Sequence, residues 1–161
     1  ELKQLGLIED LPAMVAVQPA VIAPIARAFA LGQTQVEPVP DAETLAAAVA
    51  VSDPVVGGQR VLEAVRESGG LVVAVAEEEI RAAVRVLAER EGLAMEPAGA
   101  LGLAALLKVA AEGSPLARGS QVVSLTGHGL NDQHLGSALI DPPHQAPADY
   151  QAVRAILREA L

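Results

Sequence analysis

Along the 161-residue chain, apolar positions come in compact runs separated by longer stretches with a helical stripe. Leu71-Val72-Val73-Ala74-Val75 is a short continuous apolar run closed off by Gly69-Gly70, the pattern of a strand buried on both faces of a parallel sheet. Met14-Val15-Ala16-Val17, held between Pro12 and Pro19, and Val122-Val123-Ser124-Leu125 have the same character. Strands are therefore predicted over residues 13–18, 71–75 and 121–125, as parallel neighbours or near-neighbours flanked by helices.

The intervening segments supply the helices. Ala23 to Leu31 reads as one, and so does the alanine-rich Thr44 to Val51 behind a capping Asp41. A further helix is expected from Gly57-Gly58 to Ser68, with Val61, Leu62 and Val65 on one face. Glu77 to Glu91 carries Ile80, Ala83, Val84, Leu87 and Ala88 on a single stripe, with acidic residues at its positive end and Arg90 at its negative end. Pro97 opens a helix to Ala111 that is apolar nearly all round, with Lys108 assigned to its wet side. Residues 1–8 resemble the tail of a helix with no cap before it, and a last helix runs from Asp149 to about Ala160, after a Pro-rich tract. Strands alternating with helices define an α/β fold with a mostly parallel sheet in three layers. A sheet of only three such apolar strands would leave a long open edge, so the chain is expected to be part of something larger.

Composition narrows the function. The chain is 52% apolar with a single Phe and a single Tyr, and its formal net charge is −9. Base-stacking platforms and phosphate-backbone contacts are both disfavoured, so no nucleic-acid partner is expected. Cysteine is absent, which excludes disulfides and thiolate sites. No run is long enough to span a membrane, and the reading is a cytoplasmic protein.

The stretch with the most chemistry is Leu125-Thr126-Gly127-His128-Gly129-Leu130, where an apolar run breaks into a glycine-flanked turn. Together with Glu96-Pro97-Ala98-Gly99-Ala100, and with Val15-Ala16-Val17-Gln18, Glu63 to Gly70 and Glu77-Glu78-Glu79-Ile80, it resembles the carboxyl-terminal portion of the threonine synthase family. Those enzymes depend on pyridoxal phosphate and have the tryptophan-synthase-β-like fold, fold type II. The resemblance covers about residues 1 to 132. It implies that residues 1–134 are part of the large domain of such an enzyme, with 135–161 a Pro-rich tract and a helix.

Several expectations come from this resemblance alone. The family's reaction eliminates phosphate from O-phosphohomoserine and adds water, with the cofactor as electron sink. Thr126 matches the hydroxyl residue that bonds the pyridine nitrogen, Gly127 lets backbone approach the ring, and Glu96, Pro97 and Ala98 line its other side. The family's Schiff-base lysine lies in a Phe-Lys-Asp motif and its phosphate loop is rich in Gly and Asn; neither appears in this sequence, whose lysines are Lys3 and Lys108. No catalytic residue is therefore assigned within the chain, and alone it is expected to be inactive, without covalently attached cofactor. Its expected partners are a small amino-acid phosphate, a missing amino-terminal half and a second copy in a homodimer.

Other readings stand beside this one. Thr126 can be simply a turn residue. His128, Asp132 and His134 form an array with metal-ligand spacing, but loop histidines are commonly solvated and no metal is assigned. Glu77-Glu78-Glu79 reads as a solvated helix start. The alternative for the whole chain is a non-catalytic, stand-alone remnant that binds a small anion or a partner protein.

Overall fold

Two parallel strands, β1 (Val15–Pro19) and β2 (Leu71–Val75), pair residue for residue from Val15 opposite Leu71 to Pro19 opposite Val75. The structure is a computed structural model, and it describes residues 1–132, 146 and 148–160. Between the strands the chain crosses over through α1 (Pro24–Ala30) and α2 (Val55–Glu67), then continues into α3 (Glu77–Val86) and α4 (Pro97–Ala111). A separate helix, α5 (Tyr150–Ala160), follows.

Alternation along the strands sorts their side chains into two cores. Val72 joins Ile25 and Ala28 of α1 and Leu62 and Val65 of α2 on one face. Val73 and Val75 face the other way, onto Ile80, Ala83 and Val84 of α3 and Ala100, Leu101, Ala104 and Ala105 of α4. The result is a helix layer, a parallel sheet and a second helix layer, as the blocks of the sequence require. Close packing sets local details. Gly70 lies so near the backbone of Met14 that a side chain there would meet the Met14 carbonyl, which explains a glycine just before β2.

Of the predicted stripe, Ile80, Ala83, Val84 and Leu87 are buried while Ala88 is exposed, because the helix does not stay α-helical to Glu91. It widens into a π turn over Leu87–Glu91 and stops at Gly92, whose φ of 68° completes the turn. Helix α2 begins before the glycine pair, at Val55.

Three expectations fail. Residues 121–125 are not a strand. Val122 is 96% exposed, and no strand edge among the described residues is brought to this stretch, so its backbone has no ladder to complete. Thr44 to Val51 forms only a 3-10 turn at Ala47–Val49, its start held against α3 where the Glu77 carboxylate accepts from the Thr44 hydroxyl at 2.6 Å and the Leu45 N–H at 2.9 Å. Residues 1–8 form successive turns, with the Leu5 N–H donating to the Glu1 carbonyl at 2.9 Å. A stretch so short, with Leu2, Leu5 and Leu7 all exposed, lacks the packing that would sustain a helix.

Candidate functional site

The amino terminus of α4 and the glycine turn are joined by a single antiparallel bridge between Met95 and His128. The Glu96 N–H donates to the Gly127 carbonyl at 3.2 Å, and the Gly129 N–H to the Ala94 carbonyl at 2.7 Å. These two bonds bring together the five residues assigned to cofactor contact, Glu96, Pro97, Ala98, Thr126 and Gly127, across more than thirty positions of sequence.

Why the chain can lie this close is written in its glycines. A Cβ on Gly99 would overlap the Thr126 carbonyl oxygen, so only glycine lets the 123–127 segment rest against the helix. One turn on, a Cβ at Gly102 would stand 2.9 Å from Cγ1 of Val123. Gly127 has φ of 77°, and a Cβ there would collide with the Glu96 carboxylate. The α-carbon of Gly127 is thus covered by Glu96 rather than left open to a ring. Pro97 is buried at the helix start, Glu96 and Ala98 are half-buried, and Thr126 is exposed.

The Thr126 hydroxyl has no hydrogen-bond partner among the described residues. His128 turns inward on its own loop, its Nδ1 accepting from the Leu130 N–H at 3.1 Å. His134 lies outside the described residues, and among those described no group of three acidic or histidine side chains is placed to hold a metal.

Lys108 is a correction. It does not sit on a wet face. Its Nζ reaches the Ala74 carbonyl at 2.9 Å and Oε2 of Glu79 at 3.0 Å, clamping α4 to the carboxyl end of β2 and to the first turn of α3. Glu79 also accepts from the Ala76 N–H at 2.7 Å. Burial pushes the Glu79 carboxyl up, but the Ala76 N–H and the Lys108 ammonium outweigh it and hold the pKa below the ordinary carboxylate value. The signal was available: a lone cation on an otherwise apolar helix needs an anionic partner. Glu77 and Glu79 are thus structural ties, and only Glu78 fits the solvated reading.

The donor chemistry fits pyridoxal phosphate in one respect. An exposed neutral hydroxyl at Thr126, without a hydrogen-bond partner among the described residues, suits a pyridine nitrogen. Lys108 is engaged at the end of β2, and Lys3 lies on the exposed amino-terminal turns.

Residues 2–127 match the pyridoxal-phosphate dependent enzyme family, and the chain belongs to it. Its α/β fold on a parallel sheet is that of fold type II enzymes. The chain is similar to threonine synthase of Methanocaldococcus jannaschii, 35% identical over 155 residues that cover 96% of this chain and 38% of that protein. With threonine synthase of Mycobacterium tuberculosis it shares 40% identity over 162 aligned residues, covering 100% of this chain and 42% of that one. The chain thus spans about two fifths of the length of these curated relatives. The crystal structure of Escherichia coli threonine synthase superposes with a TM-score of 0.56 at 22% identity, over 94% of this chain and 38% of that one, a likeness of fold. No helix among the described residues is long and apolar enough to cross a membrane.

Proposed function

We propose that the chain is the carboxyl-terminal segment of a threonine-synthase-like lyase that converts O-phosphohomoserine and water into threonine and phosphate. The observation that supports this reading is the Met95–His128 bridge, which joins the segment carrying Thr126 and Gly127 to the start of α4 at Glu96. Support from outside the structure is that relatives aligned over nearly all of this chain are threonine synthases.

In this reading Thr126 donates its hydroxyl proton toward the pyridine nitrogen of pyridoxal phosphate and so keeps that nitrogen neutral. Pro97 and Ala98 exclude water from one side of the ring, and Glu96, lying over Gly127, holds the glycine turn in register with the start of α4. When bound, the cofactor supplies an electron sink for carbanion chemistry at the substrate. The cofactor-linking lysine and the phosphate-binding loop come from sequence preceding the part matched by this chain. Alone, the chain attaches no cofactor covalently and is inactive; the intact enzyme works in the cytoplasm as a homodimer.

Catalysis by the intact enzyme, of which this chain is a segment, tests this. Supplied with pyridoxal phosphate and O-phosphohomoserine, it should release phosphate and threonine in equal amounts. No phosphate release, combined with ammonia formation from threonine or serine, would overturn the substrate assignment while leaving the family intact.

A further inference from the structure

Near the carboxyl ends of the strands lies a groove of about 380 Å³, lined by Ala20, Val21, Ala23, Ala26, Val39 and Ala74. Its one charged lining residue is Arg27. Open α/β sheets place ligands at this end of their strands, and the volume lies within the range of small-molecule sites, roughly 300 to 1,000 Å³. None of Thr126, Gly127, Glu96, Pro97 or Ala98 lines it, so the inference does not depend on the function proposed above.

We propose that this groove binds a short aliphatic carboxylate, with Arg27 as its anchor. Arg27 is exposed and has neither an ion-pair nor a hydrogen-bond partner among the described residues. In a chain of net charge −9, a guanidinium left unpaired beside an apolar groove is a vacant binding position for a carboxylate, whose two oxygens match its planar fork.

The backbone that carries Arg27 is tied to the sheet. Gln18, 7% exposed at the end of β1, accepts from the Ile25 N–H at 2.9 Å and the Ala26 N–H at 3.1 Å. That ties the first turn of α1 to the strand and occupies the helix amides, leaving the guanidinium as the anion contact.

Three features select the ligand. The walls are Ala and Val, which suit a branched chain of a few carbons and offer nothing to stack on. One cation balances one negative charge, whereas a phosphate dianion would stay half-compensated in an acidic protein. Nor does the groove invite an amino group through the Ala74 carbonyl, which already accepts from Lys108.

Calorimetric titration of the native protein with isovalerate tests the proposal, with isobutylamine and inorganic phosphate as separate arms. Saturable binding of isovalerate, with neither of the other two binding, is expected. Arg27→Met should weaken it at least tenfold, as loss of a charge-assisted hydrogen bond implies. Ala26→Leu, which fills the groove and keeps the guanidinium, should abolish it. Absence of isovalerate binding, equal binding by phosphate, or undiminished binding in either variant would overturn the assignment.

Discussion

Substituting alanine for Gly99 should destabilise the protein, although the same change stabilises most helices. Gly99 is in the first turn of α4, and alanine there gains about 1 kcal/mol of helix propensity. Against this, the new Cβ falls on the Thr126 carbonyl, a backbone atom that cannot rotate away. Overpacking of that kind costs typically about 1 to 3 kcal/mol. The overlap is severe enough to place the cost near the upper end, giving a net loss of about 1 to 2 kcal/mol. Gly57 provides the internal control, since it lies in the first turn of α2 with no heavy atom within 4 Å of the added methyl. Gly57→Ala should gain about 0.5 to 1 kcal/mol. In a chain of this length each kcal/mol moves Tm by roughly 2 to 4 °C, so thermal unfolding should show the two variants moving in opposite directions. If Gly99→Ala melts at or above the wild-type temperature, the glycine turn does not lie against α4 and the assembly of the site described above is wrong.

Two further variants probe features away from the turn. Lys108→Met keeps the aliphatic stem and removes the ammonium; both partners are about one third exposed, so solvent screening leaves about 0.5 to 1 kcal/mol at neutral pH. Because the Glu79 pKa is held below its unfolded value, that stabilisation is present above the unfolded value and fades as pH falls through the folded one. Denaturant titrations of wild type and variant should therefore differ at pH 7 and converge in the acid range, and a gap constant with pH would refute the pairing. Val55 has φ of 46°, a region hostile to a β-branched side chain, and Val55→Asn should raise stability by about 0.5 to 1 kcal/mol in chemical denaturation. A loss of stability there would mean that the turn before α2 is not strained.

What the sequence disclosed follows the range of the forces involved. Leu71 to Val75 and Pro97 to Ala111 were readable because their patterns are local: a five-residue apolar run, and a proline-led helix with almost no charge. The stripe from Ile80 to Leu87 was equally plain, though not the π turn that ends it, which depends on how Leu93 closes back onto Leu87. Residues 121–125 misled because β structure needs a partner edge, and strand-like composition does not supply one. The segment at 44–51 is helical by propensity, yet its start is held by Glu77, which takes the Thr44 hydroxyl and the Leu45 N–H from more than thirty residues away. Lys108 was misassigned for the same reason, since Glu79 and the Ala74 carbonyl are distant in sequence and adjacent only once α4 crosses the sheet. The five residues assigned to cofactor contact were named through family resemblance. The structure adds that Gly99 and Gly102 allow two distant motifs to touch.

The central claim is tested most directly at the Thr126 hydroxyl. In the native protein, pyridoxal phosphate affinity should be measured by equilibrium dialysis for wild type, Thr126→Val and Thr126→Ser, alongside threonine formation. Valine keeps the shape and leaves the pyridine nitrogen without its partner, a loss of about 1 to 3 kcal/mol where the bound ring excludes water, or roughly five- to 150-fold in affinity. Serine restores the hydroxyl and should recover most of both properties. Wild-type affinity and turnover in Thr126→Val would contradict the account and leave Thr126 as a residue of the turn alone.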